Sequence, residues 1–372
     1  MSDRSERFLR ACRGESVDTT PVWLMRQAGR YMPEYRALRA QAGDFLSLCR
    51  NPELACQVTL QPVEALGVDA AILFSDILVP LPTMGIELNF GDGGPRLSAV
   101  RSAADIDRLT VGDPHDCRFV MDSIALCRAA LARRGQDAVP LIGFAGAPFT
   151  LLTYAVEGGA SRSFTHSKSL LFRDPAAAHR LLQKLTDTII AYLGAQVQAG
   201  AQAVQLFDTW VGILGRQEYV QFAAPYIQQV LAALRPLGVP LIYFAQGATA
   251  LLEEIGMLPA DVFAIDWRLP LNIAGERLGI AESADRAIQG NLDPLRLLGP
   301  IADTRQQVAD ILARARLLRC GFVFNLGHGV VPETPVEHVR ALVDSVHQLG
   351  RSLQTTGRLG RRELEHSTAS AP

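Results

Sequence analysis

The sequence predicts an α/β fold, a single-domain (β/α)8 TIM barrel, on three observations. Eight short apolar runs recur along the chain, each followed by a polar turn and a longer helical pattern. Their apolar residues are nearly continuous rather than alternating, as parallel strands covered on both faces require. A doubly wound open sheet would place a phosphate-binding G-x-G-x-x-G after an early strand, and "LGHG" and "EGGAS" lack that spacing. Strand–helix alternation repeated in this way favours the barrel.

The runs are "PVWLM" (21–25), "DAAILF" (69–74), "PLIGF" (140–144), "QAVQLF" (202–207), "PLIYFA" (240–245), "VFAID" (262–266), "AIQGN" (287–291) and "GFVFNL" (321–326). Helix starts lie between them. Asn51, Asp113 and Asp174 each stand as N-cap before a proline at the first helical position. The run from Asp174 closes at Gly200, a glycine stop. Thr334 and Glu337 have the spacing of a capping box before "HVRALVDSVHQL". Residues 1–354 are therefore expected to form the barrel. The small, polar residues 355–372 are expected to be a disordered tail.

Composition narrows the function class. The chain has 372 residues, 48% hydrophobic and 20% charged, with a formal net charge of −2. Such balance argues against non-specific nucleic-acid binding, which needs a basic face or tail. No apolar stretch reaches the roughly 18 residues that span a bilayer, and the charged start "MSDRSERFLRACRGESVD" lacks the apolar core of a signal peptide. Six cysteines are scattered without a C-x-x-C pair, as suits reduced thiols in a cytosol. The expectation is a soluble, cytoplasmic enzyme with a small-molecule partner.

Barrel enzymes carry their chemistry on the loops after the strands. Reading just past each run gives Arg26 and Arg30, Ser75 and Asp76, Tyr154, Asp208 and Thr209, Gln246, Asp266 and Trp267, Asn291 and Asp293, then Asn325 and His328. Asp76 could be a turn or N-cap residue. Its setting between Phe74 and Ile77-Leu78-Val79 makes an unsatisfied carboxylate costly, which favours a role in the site. His328 lies between two glycines, which let backbone approach a ligand; a structural histidine is the competing reading. Tyr154 could be a core tyrosine, and Thr209 or Asp208 could cap the next helix. "MRQAGRYMPEYR" (25–36) is harder to read as a solvated charge run, because it begins at a strand terminus and is broken by Gly29 and Pro33. Guanidinium groups in such a loop form bidentate carboxylate or phosphate sites, so the expected ligand is a small polyanion. His115 and Cys117 look like a zinc half-site, but zinc needs three or four converging ligands and no second cysteine is near.

The blocks "PVWLMRQAGRYMPEYR", "FSDIL", "LIGFAGAPFTLLTYAVEGG", "LFDTWVG", "QGNLDP" and "NLGHGV" resemble the uroporphyrinogen decarboxylase family, over about residues 5 to 353. The resemblance implies a somewhat distorted (β/α)8 barrel, a cytoplasmic homodimer, and removal of CO2 from the four acetates of uroporphyrinogen to give coproporphyrinogen in haem biosynthesis. It implies no metal or organic cofactor. It carries substrate-binding roles onto Arg26, Gln27, Ala28, Gly29, Arg30, Asp76, Tyr154, Thr209 and His328, with Asp76 and Arg26 as catalytic candidates. Thr209 stands where many members have serine, and it keeps the hydroxyl. A guanidinium is a very weak acid, so a substrate carboxyl or water competes with Arg26 as proton donor. Two other functions fit parts of this pattern. A zinc-dependent methyltransferase would need His and Cys at strand ends, where strand five has "FAQG". A tetrapyrrole carrier would use the same arginines without turnover.

Overall fold

A computed structural model of the protein describes residues 4–91 and 93–367. Among these, the strands in chain order are β1 (Ala71–Ile72), β2 (Leu88–Gly91), β3 (Gly94–Leu97), β4 (Leu141–Gly146), β5 (Ala203–Asp208), β6 (Leu241–Ala245), β7 (Val262–Ile265), β8 (Ala287–Leu292) and β9 (Gly321–Leu326). Seven form one curled parallel sheet in the order β1-β4-β5-β6-β7-β8-β9, and β2 pairs with β3 as an antiparallel hairpin. The fold is α/β and TIM-barrel-like.

Six of the eight apolar runs are strands close to their expected bounds. The second shortens to two residues, and the first forms only an isolated parallel bridge, Val22 to Phe324. The reason lies in where its backbone donors go. Leu24 N–H donates to Gln27 Oε1 (3.1 Å) and Met25 N–H to Asn325 Oδ1 (3.1 Å), so side chains take the place of a ladder. Val22 N–H likewise goes to Asp69 Oδ2 at 2.9 Å, while Asp69 N–H donates to Val22 O at 2.8 Å. The hairpin β2–β3, around "GDGG", is an element the strand–helix pattern did not predict.

Alternate residues of the sheet face inward. Trp23, Ala70, Ile142, Ala203, Ile242, Phe244, Val262, Ala264, Ala287 and Val323 form one buried cluster. The helix Arg4–Cys12 inserts Phe8, Leu9 and Cys12 into it; full burial of such apolar side chains is worth about 2 kcal/mol each. Polar side chains within this layer pair with each other, Trp23 Nε1–H to Gln289 Oε1 (2.9 Å) and Gln289 Nε2–H to Gln205 Oε1 (3.2 Å). The larger core lies between the sheet and the surrounding helices.

At the edge near Val22, buried Asp69 binds Arg7 Nη1 (2.6 Å), His347 Nε2 (2.7 Å) and the Val22 N–H (2.9 Å). Arg7 also holds Asp18 through two contacts of 2.8 Å. Burial raises the Asp69 carboxyl, but His347, Arg7 and the Val22 N–H outweigh it and hold the group below its ordinary range. One carboxylate thus fastens the first and last helices to the sheet edge.

Two of the expected caps hold on α-helices: Asn51 accepts Leu54 N–H and Asp174 accepts Ala177 N–H, each at 2.9 Å. Asp113 accepts His115 N–H at 2.8 Å, but opens a 3-10 turn, Pro114–Cys117, ahead of the helix Arg118–Ala132. The capping box at Thr334 does not form. The last helix begins at Val336, with Pro335 O accepting the first N–H groups, so Thr334 falls one residue outside and its buried Oγ1 has no partner among the described residues. That helix runs Val336–Ser367. Residues 355–367 of the expected disordered tail therefore have helical backbone, for which "RLGRRELEH" has adequate propensity. The last five residues of that expectation lie outside the described ones.

Candidate functional site

The loop after the first apolar run is fixed from both sides. Gln27 is buried; its Oε1 accepts Leu24 N–H, its Nε2 donates to Ala70 O (3.1 Å), and its carbonyl accepts Tyr31 Oη–H (2.6 Å). Val330 N–H donates to Met25 O at 2.9 Å, tying the same loop to the segment after β9. Arg36 Nη1 braces it from outside by donating to Arg30 O (2.8 Å) and Tyr31 O (3.0 Å). Gln27 therefore shapes the loop through its side chain, while Ala28 packs on the core and Gly29 is half-buried.

Arg26 sits at the apex with φ of 58°, a left-handed conformation that non-glycine residues adopt at a cost. Its stem lies on Gly329, where a Cβ would come 2.4 Å from Arg26 Cδ and 2.6 Å from Cγ. Glycine at 329 is what admits the arginine. Arg26 and Arg30 are both exposed.

Asp76 follows β1 and is half-buried, its Oδ1 accepting Leu78 N–H at 2.9 Å. It thus closes the turn that follows the strand. Burial pushes its carboxyl up, with the Leu78 N–H and Arg26 acting the other way. Tyr154, on the helix Pro148–Glu157 after β4, is half-buried against Trp210, their ring centroids 6.0 Å apart. Burial raises its hydroxyl and Asp76 adds to the rise, while Trp210 and Arg26 oppose it. Thr209 is half-buried just after β5, beside Trp210, which also packs on Phe164 at 5.1 Å. His328, after β9, has its imidazole lowered to about 4 by burial, then by Arg26 and Arg268, against Asp266. It is neutral at pH 7. Arg26 therefore acts electrostatically on Asp76, Tyr154 and His328, and Asp76 on Tyr154, across the strand ends.

Asp208 behaves differently. Its side chain is fully buried, accepting Thr150 Oγ1–H (2.7 Å) and Tyr243 Oη–H (2.8 Å), and burial raises it to about 6 despite both bonds. It joins strand to helix and lies away from solvent. Asp293 accepts Leu295 N–H (3.0 Å) and caps a short turn. Arg268, which the reading past the strand ends left out, stands two residues beyond Asp266. Its sequence signal is "DWR", a cation immediately after the acid and tryptophan at a strand end.

Fold and site together define a parallel, barrel-like α/β enzyme whose strand-end loops carry the exposed Arg26 and Arg30 and the half-buried Asp76. The chain belongs to the uroporphyrinogen decarboxylase family: the model of uroporphyrinogen decarboxylase matches residues 3–349. It is 50% identical over 358 residues to the uroporphyrinogen decarboxylase of Myxococcus xanthus, covering 96% of this chain and 99% of that protein. It is 49% identical to that of an Anaeromyxobacter species, covering 92% of this chain and 98% of the relative. Among solved structures, a methyltransferase from Methanosarcina mazei superposes with a TM-score of 0.77 at 20% identity, covering 94% of this chain and 99% of that one. A B12-independent methionine synthase from a Shewanella species reaches 0.55 at 9% identity, covering 83% and 89%. These two likenesses describe the fold alone.

Proposed function

We propose that the protein decarboxylates the four acetate side chains of uroporphyrinogen III to methyl groups, giving coproporphyrinogen III and CO2 in haem biosynthesis. What supports this reading is a half-buried Asp76 at the end of β1, within the electrostatic reach of Arg26, with Arg26 and Arg30 both exposed on the loop after the neighbouring Val22 segment. Each turnover consumes one proton and one acetate carboxylate. A proton adds to the pyrrole ring carbon beside the acetate, making the ring cationic. The C–CO2 bond then breaks and its electron pair flows into that cation. Protonation of the resulting exocyclic carbon and loss of the ring proton leave a methyl group. The macrocycle is its own electron sink.

In this mechanism Asp76 lies under the pyrrole N–H groups and stabilises the developing cation. At about 4 Å and an effective dielectric near 20 such a pair is worth on the order of 4 kcal/mol before competing terms. Arg26 and Arg30 hold substrate carboxylates, and because a guanidinium is a very weak acid the proton comes from a substrate carboxyl or water. Tyr154, Thr209 and neutral His328 hydrogen-bond further side chains, and Gln27, Ala28 and Gly29 present the loop backbone. We further propose that residues 1–354 close into one eight-staved barrel, with the Val22 segment as the stave between β9 and β1. On the family's pattern we propose a cytoplasmic homodimer; no helix among the described residues is long and apolar enough to cross a membrane.

The test is anaerobic incubation with uroporphyrinogen III, followed by oxidation and separation of products by carboxyl number. Seven- to four-carboxyl products are expected. Binding without any loss of carboxyl groups would make the protein a carrier instead.

A further inference from the structure

We infer that Arg268 is a third carboxylate-binding arginine of the mouth, holding a peripheral carboxylate of the tetrapyrrole on the flank opposite Asp76. The inference rests on the decarboxylase reading above. In the sheet order β1 and β7 are separated by β4, β5 and β6, so the loops bearing Asp76 and Arg268 lie on different flanks. Arg26 and Arg30 enter from the Val22 segment, which neighbours β9. Arg268 would give a flat polyacid seated over Asp76 a cation on the β7 side as well.

The turn that carries Arg268 is held rigidly. Asp266 is 5% exposed and accepts the Gly247 N–H (2.6 Å), the Arg268 N–H (2.9 Å) and Arg268 Nη1. Asn291 Nδ2 donates to Asp266 O (2.9 Å) and Leu269 O (2.8 Å), which fixes both ends of the turn. From the third side, Gly327 lies so close that a Cβ there would be 2.5 Å from the Trp267 nitrogen. That approach brings the His328 segment beside the turn, and Arg268 reaches His328 electrostatically along with Arg26.

The guanidinium itself is positioned but open. It lies over the Trp267 ring at 4.5 Å from the centroid, an orientation that removes rotamer freedom. Its side chain is 46% exposed, against 5% for that of Asp266, and only Nη1 has a partner among the described residues. Asp266 acts as a tether on the inner edge. The outer N–H groups keep the planar fork geometry that suits a carboxylate.

The test compares full-length wild type with Arg268→Gln and Arg268→Lys. Two quantities are read: steady-state kinetics on uroporphyrinogen III, and binding of uroporphyrin III, the non-reacting aromatic octaacid, at low and high salt. Arg268→Gln is expected to raise KM and the uroporphyrin Kd about five- to tenfold, leave kcat within twofold, and flatten the salt dependence of binding. Arg268→Lys, which keeps the charge and the Asp266 pairing, is expected to lose about two- to fourfold. Affinity unchanged in whichever variant folds would overturn the inference, as would a lowered Tm with an unaltered salt slope. Wild type that binds uroporphyrin but yields no decarboxylated product would overturn the decarboxylase reading alone, since the Kd comparison still decides Arg268.

Discussion

The proposed mechanism gives Asp76 two duties with opposite electrostatic demands. Closing its own turn needs an acceptor, and burial favours the protonated acid. Stabilising a pyrrole cation needs the carboxylate. Substrate resolves the conflict by supplying N–H donors, so the carboxyl should be more acidic in the complex than in the free enzyme. The acid limb of kcat/KM, which reports the free enzyme, is therefore expected above the ordinary carboxylate value of 3.8, and that of kcat at a lower pH than that of kcat/KM. Coincident limbs in pH–rate profiles would contradict this. Asp76→Asn is expected to lower kcat by about 100- to 1000-fold, the scale of losing one preorganised electrostatic contact, with uroporphyrin affinity changed far less; equal loss of both would move Asp76 out of the transition state.

Loops and helices explain why these residues meet, and which of them the sequence announced. The "MRQAGR" loop could be read as basic and strand-terminal, but its shape depends on Gln27, Asn325 and Gly329, two of them some 300 positions away in the chain. Gly329→Ala would push a Cβ into the Arg26 stem. Overpacking of this kind costs about 1–3 kcal/mol, and the expected readout is a KM raised about tenfold with the fold retained, seen by circular dichroism and kinetics. Buried strands β4 to β9 were legible because their runs are largely apolar, with only isolated polar side chains such as Gln205, Gln289 and Asn325 among them. The Val22 stave was over-read because side chains take its hydrogen bonds, and Asp208 looked like a mouth residue although it points to Thr150 and Tyr243. Arg268 was missed because the reading stopped at the acid and the aromatic before it. A different cluster governs stability. Asp69→Ala would leave the buried Val22 N–H and His347 without their shared acceptor and remove one of the two carboxylates that hold Arg7, for an expected loss of about 1–3 kcal/mol in urea unfolding at pH 7. Because the folded state lowers the Asp69 carboxyl, its contribution is present above the ordinary carboxylate range and disappears as pH falls through it. The difference between wild type and variant should shrink in acid.

At the scale of the whole molecule, the chain is nearly neutral, at −2, yet the loops after its strands carry the exposed Arg26, Arg30 and Arg268. Net charge gave no hint of this arrangement; only the position of charge along the chain did. The architecture separates the two tasks, with the Asp69 cluster and the helix Arg4–Cys12 securing the sheet and the loops after the strands left to bind the polyacid. The most direct test is a crystal structure with coproporphyrinogen III. The expected result is Asp76 within hydrogen-bonding distance of the central pyrrole N–H groups and Arg26 and Arg30 on propionates. A macrocycle bound with Asp76 turned aside and both arginines in bulk water would contradict the account.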